Sequence, residues 1–291
     1  MSPTEYTIGF AGLSEEADFP VIVRRSLEQA AAEYPNINLI VRDNNMDDAT
    51  ALANIEEFAS IPVDLAMIYH LGERVGPTLS STLLKKKIKM IAVDIPIPPW
   101  AVYFGVNNHE SGSIVGEELA KWINTYWEGQ VEKVLVLTES RVLDFVRARS
   151  TSALDALIAG LGYTPSDIMY LEGGNTREAS IQAVTNILHR WPDVHRIAVI
   201  GFNDETAAGA LDAARDLGRE QDMVAVGQGG NLIEELERPN SRMIASVAYN
   251  PEHYGHQLMS LALRMLTGER VARENYIDNQ RLTAASLPYL R

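Results

Sequence analysis

The sequence predicts an α/β protein built as two doubly wound parallel-sheet lobes joined by a three-strand hinge. Short apolar runs alternate with segments of helical spacing along the whole chain. The alternation slips at Ile95-Pro-Ile-Pro-Pro-Trp100, where proline cannot donate to a ladder. Two strand patterns then follow one another with no helix between them, which reads as the chain leaving one sheet for another.

Strand patterns fall at 6–11, 38–41, 64–68, 88–93 and 101–106, then at 133–137, 168–171, 196–200, 223–226 and 243–248. They are short and rich in Val and Ile, as strands covered on both faces are. Helical spacing runs over 21–34, with Val21, Leu27, Ala30 and Ala31 on one face and Arg24, Arg25, Glu28 and Glu33 outward. The same spacing recurs over 110–127, 149–161, 181–191, 206–217 and 254–266. Single helices between strands imply parallel units with right-handed crossovers. Lys85-Lys86-Lys87 ends a helix, where cations favour the helix dipole. Crossings between lobes are expected near 102–106, 247–250 and 276–282. One lobe is then 1–104 with 250–278, the other 105–249 with 279–291.

The 291 residues, 46% of them hydrophobic, suffice for a large core. A formal net charge of −14 argues against nucleic acid or an anionic membrane as partner. The chain has no cysteine, which excludes structural disulfides, thiolate catalysis and Cys-based metal sites. No run approaches the roughly 20 apolar residues of a membrane span. Met1-Ser-Pro-Thr-Glu-Tyr6 leads straight into the first strand pattern without a secretory signal.

In an open α/β sheet, ligands are held at the carboxyl ends of strands. Asn203 stands there after the run 196–200, offering both donors and an acceptor to a hydroxyl-rich ligand, or an N-cap to the helix that follows. Asp94 ends the run 88–93, as a ligand carboxylate or as a turn residue before Pro96. Tyr69 and His70 follow the run 64–68 in the same way. Other chemistry finds no support. Asp43-Asn-Asn-Met-Asp-Asp48 alternates oxygen ligands like a calcium loop, but lacks the glycine and the closing glutamate. Gly227-Gln-Gly-Gly230 does not match the dinucleotide pattern, and no phosphate-binding loop, nucleophile elbow or His-Glu-x-x-His is present. No cofactor, metal or catalytic constellation is expected.

Gly201-Phe-Asn-Asp-Glu-Thr-Ala-Ala-Gly-Ala210, Gly105-Val-Asn-Asn-His-Glu-Ser-Gly112 and Ile91-Ala-Val-Asp94 resemble type I periplasmic sugar-binding proteins of the ribose-binding group, which deliver sugars to ABC importers. The resemblance implies a ligand held between two lobes. By motif it carries over Asp94 as the carboxylate accepting sugar hydroxyls, and Arg147, with Arg149 as the alternative register, as the arginine. It likewise carries over Asn203 as the asparagine after the strand and Phe19 as the aromatic stacked on the sugar ring. Where the family often has Gly-Phe-Asp-Gly, this chain has Gly227-Gln-Gly-Gly230, so Gly229 replaces an acid and Gln228 offers a neutral contact. Tyr249 stands before the Asn250-Pro251 turn as a further candidate. Closure on a sugar or polyol, delivery to the transmembrane subunits of a permease, a monomeric state and a periplasmic location with the signal peptide removed are the expectations. The same superfamily contains effector domains of lactose-repressor-type regulators, which is the alternative reading.

Overall fold

Buried Val- and Ile-rich segments make the strands, and the segments between them coil because their apolar residues recur every three or four positions. The computed structural model describes residues 4–71, 74–140 and 143–289. In chain order the elements are β1 (Tyr6–Gly12), α1 (Asp18–Ala32), β2 (Ile37–Asp43), α2 (Asp48–Ser60), β3 (Leu65–Ile68), α3 (Gly76–Lys85), β4 (Lys89–Val93) and β5 (Val102–Gly105). There follow α4 (Asn108–Tyr126), β6 (Lys133–Thr138), α5 (Asp144–Leu161), β7 (Ile168–Glu172), α6 (Arg177–Arg190), β8 (Ile197–Ile200) and α7 (Asp204–Asp216). The chain ends with β9 (Met223–Val226), α8 (Ile233–Glu237), β10 (Met243–Ala248), α9 (Tyr254–Leu266), β11 (Glu274–Tyr276) and β12 (Gln280–Leu282).

These elements form two compact units. The first takes the described residues up to Val106 together with Asn250–Ile277. Its sheet runs β11-β5-β4-β3-β1-β2, with every pairing parallel. Ala11, Ile55, Phe58, Ala66, Ile68, Leu79, Leu83 and Ala92 fill the space between this sheet and α2 and α3. On the other face α1 packs against α9, burying Val23, Leu27, Ala30 and Ala31 from one and Leu258, Leu261 and Ala262 from the other.

The second unit takes Asn107–Tyr249 and the described residues from Asp278. Its sheet runs β12-β10-β9-β8-β6-β7, parallel except that β12 lies antiparallel to β10. Leu135, Leu137, Val184, Val199, Ala207, Leu211 and Ala225 are among its buried core. Both units thus begin with one strand order, in which the second strand and the third flank the first. The two-lobed parallel α/β fold read from the sequence is the fold observed.

One expectation needs correction. The strand after the proline run does not leave the first sheet, because β5 pairs in parallel with β4. No helix covers that crossover. Ile95 and Ile97 of the proline segment are buried in its place, at 6% and 4% exposure. The chain leaves for the second unit only after β5.

Several helix starts are fixed by side-chain caps. Asp47 accepts from the Thr50 amide, Asn107 from the Glu110 amide and Thr176 from the Ala179 amide, each satisfying an otherwise orphaned donor. Asn203 and Thr206 form a reciprocal capping box at α7. Among the described residues no helix is long and apolar enough to cross a membrane.

Candidate functional site

In each sheet the strand order reverses beside the first strand, at β1/β3 in one unit and β6/β8 in the other. The crevice outside the carboxyl ends at such a point is where a doubly wound sheet holds ligand. The singled-out residues gather along these edges.

In the first unit, Asp94 follows β4 with a φ of 57°, a left-handed conformation that costs a non-glycine residue energy. Its amide donates to the Phe104 carbonyl at 2.8 Å, which anchors the turn. Its Oδ1 accepts from the Tyr254 hydroxyl at 2.9 Å. Tyr254 opens α9 and is fully buried. Its ring meets Phe19 edge-on at 5.7 Å and Phe104 at 5.4 Å, spacings favoured by the aromatic quadrupole. Burial first, and then the negative charge of Asp94, hold the Tyr254 hydroxyl well above the ordinary tyrosine pKa. Phe19, Tyr254 and Asp94 therefore form one contiguous row. Tyr254 carried no polar signal in sequence beyond starting an amphipathic helix.

Tyr69 and His70 stand at the end of β3, at 6% and 2% exposure. The Tyr69 amide donates to the Ala11 carbonyl, and buried Asn44 ties the Tyr69 and Ala11 carbonyls together through its Nδ2. His70 Nε2 lies 2.9 Å from Asp48 Oδ1. Its Nδ1 is buried without a hydrogen-bond partner among the described residues.

In the second unit Arg147 and Arg149 have different surroundings. Arg147 pairs with Asp144 one turn back, at 2.6 Å on an exposed face of α5. Arg149 instead reaches the carboxyl edge of the sheet. Its Nε donates to Asn108 Oδ1 at 2.9 Å. Its guanidinium carbon lies 5.2 Å from the Phe202 ring centre and 5.4 Å from that of Tyr249, a cation held by two aromatic rings. Its backbone is set by a close approach of α4 to α5. A Cβ at Gly112 would come within 2.2 Å of the Arg149 carbonyl oxygen, so only glycine fits there.

Behind Arg149 lies a closed polar network. Gln228 is fully buried, and its Oε1 accepts from Ser111 at 2.6 Å and from the Tyr249 hydroxyl at 3.3 Å. Its Nε2 donates to the Arg149 carbonyl at 3.4 Å. Asn203 is the N-cap of α7, and its Nδ2 donates to Asn175 Oδ1 at 2.6 Å. The neighbouring Asp204 is buried, which raises its carboxyl pKa against the opposing effect of donors from Ser246 and from the backbone of 230–232. Gly229 has a φ of 130°, so an aspartate cannot be restored there without backbone strain. Among the described residues no group of three or more His, Cys, Asp or Glu side chains is placed to hold a metal.

A family model described as a periplasmic binding protein domain matches residues 8–270. The chain belongs to this family. The ribose import binding protein of Salmonella typhimurium is 26% identical over 256 residues, covering 86% of this chain and 81% of the relative. A putative rhizopine-binding protein of Rhizobium meliloti is 23% identical over 292 residues, 97% of this chain and 91% of the relative. A solved ABC transporter solute-binding protein of Bacillus halodurans with bound myo-inositol superposes with a TM-score of 0.82 at 18% identity, covering 100% of this chain and 99% of that one. One from Actinobacillus succinogenes with bound D-allose gives 0.81 at 18% identity, with 98% and 100% covered. The resemblance to type I periplasmic sugar-binding proteins is thus borne out. The family is one of sugar-binding components of ABC transporters rather than of enzymes.

Proposed function

We propose that this chain is a periplasmic solute-binding protein that captures a sugar or polyol and delivers it to the transmembrane subunits of an ABC importer. The observation that carries the reading is that the sheet in each unit ends its carboxyl edge in a fixed polar group backed by aromatic rings. In one unit this is Asp94 with Tyr254 and Phe19. In the other it is Arg149 with Phe202 and Tyr249. A carboxylate accepts hydroxyl hydrogens and a guanidinium donates to hydroxyl or ring oxygens, while an aromatic face covers the apolar side of a sugar.

Capture proceeds by closure of the two units on the ligand, which favours the closed state by binding it better than the open one. Phe19, Tyr69, His70 and Asp94 act from one unit, and Arg149, Asn203 and Tyr249 from the other, with Gln228 bracing Arg149 and Tyr249 from behind. A micromolar complex needs about −8 kcal/mol. A ligand lacking one hydroxyl leaves a buried polar group unpaired at roughly 1–3 kcal/mol, which supplies selectivity. A thermal-shift screen of pentoses, hexoses, polyols and sugar acids tests the reading, because ligand at a hundredfold excess over Kd stabilises by about 2.7 kcal/mol. A shift with some members, lost in Asp94→Ala, is expected. No shift with any member refutes it.

A further inference from the structure

We infer that the ligand carries a carboxylate, making it a sugar acid, and that Arg149 is its counter-ion; this rests on the solute-binding reading above. The Arg149 guanidinium is half-buried and held on three sides, by Asn108 Oδ1 on Nε and by the rings of Phe202 and Tyr249. Those three residues are themselves buried, at 3%, 5% and 5% exposure. Yet no carboxylate of the described residues pairs with it. Arg177, Arg215, Arg219 and Arg238 of the same unit, by contrast, each face an Asp or Glu oxygen.

The neighbouring polar groups do not neutralise it. Asn108 and the two rings are uncharged, and Gln228 is turned to Ser111, Tyr249 and the Arg149 carbonyl. Position 229, also on this edge, is glycine at a φ of 130°, a backbone state that disfavours an acid there. With Nε fixed, the two terminal nitrogens remain as a planar fork, the geometry that matches a carboxylate in two parallel hydrogen bonds. One guanidinium balances one negative charge, which fits a uronate or an aldonate better than a phosphate dianion. The hydroxyls of such a ligand suit an acceptor such as Asp94.

Calorimetric titration at neutral pH with D-glucuronate, D-galacturonate and D-gluconate tests this. D-glucuronamide, D-glucose, D-galactose, myo-inositol and D-glucose 6-phosphate are the comparison probes. A sugar acid is expected to bind at least about tenfold tighter than its neutral counterpart, the difference made by one charge-assisted contact. Arg149→Gln should abolish that preference and Arg149→Lys retain part of it, with ligand-free melting points confirming that both variants fold. Equal or tighter binding of the neutral sugars overturns the inference while leaving the solute-binding reading intact. Tighter binding of the phosphate overturns the choice of carboxylate. Failure of every probe to bind overturns both.

Discussion

Replacing Tyr254 by Phe removes one hydroxyl and leaves the ring against Phe19 and Phe104. The lost contact is a 2.9 Å hydrogen bond to Asp94 Oδ1 from a fully buried donor. Hydrogen bonds to charged groups contribute about 1.5–3 kcal/mol. Asp94 is half-buried, so water replaces part of the lost donor and the low end applies, about 1.5 kcal/mol. For a protein of this size that is a fall in melting temperature of about 2–3 °C. Alkaline titration gives a second readout. The folded pKa of Tyr254 is raised, chiefly by burial and then by Asp94. Its stabilising contribution is therefore fully present below the ordinary value of 10.0 and is lost as pH rises towards the folded value. Tyr254→Phe lacks this loss, so the stability gap between parent and variant should narrow above pH 10. Urea melts at pH 7.5 and across the alkaline range measure both. A variant as stable as the parent at pH 7.5, or a gap that does not change with alkali, would refute the assignment of the Tyr254–Asp94 pair.

Asn203→Ala removes the cap on α7 and the bond to Asn175, and should cost about 1–2 kcal/mol by urea denaturation; a ligand role adds a rise in Kd of about tenfold by calorimetry, and an unchanged Kd reduces Asn203 to a cap. Gly112→Ala drives a methyl onto the Arg149 carbonyl, so α4 must move from α5 at about 1–3 kcal/mol, and ligand affinity should fall with it; a parent-like melting temperature would show that the close approach is not needed. Asp204→Asn replaces one of the two carboxylate oxygens, which accept separately from the Ser246 hydroxyl and the Asn231 amide, by an amide NH2 and so leaves one of these buried donors without its acceptor, at about 1–3 kcal/mol. Because the folded pKa of Asp204 is raised by burial, its contribution is full below the unfolded value and is lost as pH rises through the folded one. The variant should therefore be most impaired near pH 4 and less so near pH 8, and a deficit constant between the two contradicts the buried-charge account.

The buried strands were legible because a parallel strand covered on both faces reads as an unbroken Val/Ile run. Residues 196–200, 223–226 and 243–248 reappear almost unaltered as β8, β9 and β10. β11 and β12 were not legible. They are three residues long, polar, and lie at sheet edges, so no period has room to show. The five-residue α8 fails for the same reason. Asp94, Tyr69 and Asn203 stood out because a polar residue closing an apolar run marks the strand end. Arg147 and Arg149 could not be separated by spacing. They differ by two positions on a helix whose start was not marked by a side-chain cap, and only the packing of α5 on α4 turns one outward and the other to the sheet edge. Tyr254 was hidden because its partner Asp94 is 160 residues away, and a tyrosine in an apolar helix face looks like core.

The stretch Asn250–Ile277 belongs with the beginning of the chain rather than with what precedes it. A ribosome therefore releases nearly all of the second unit before the first has α9 to lay on α1 or β11 to close its sheet edge. Until that stretch is available, α1 covers its face of β1 to β5 without α9 beside it, whereas Asn107–Tyr249 already holds nearly all the residues of its own unit. Asp94 acquires the Tyr254 hydroxyl only when the last part of the chain emerges. A chain cut short before α9 would thus carry a near-complete second unit beside a first one that lacks Tyr254 and its hydrogen bond to Asp94.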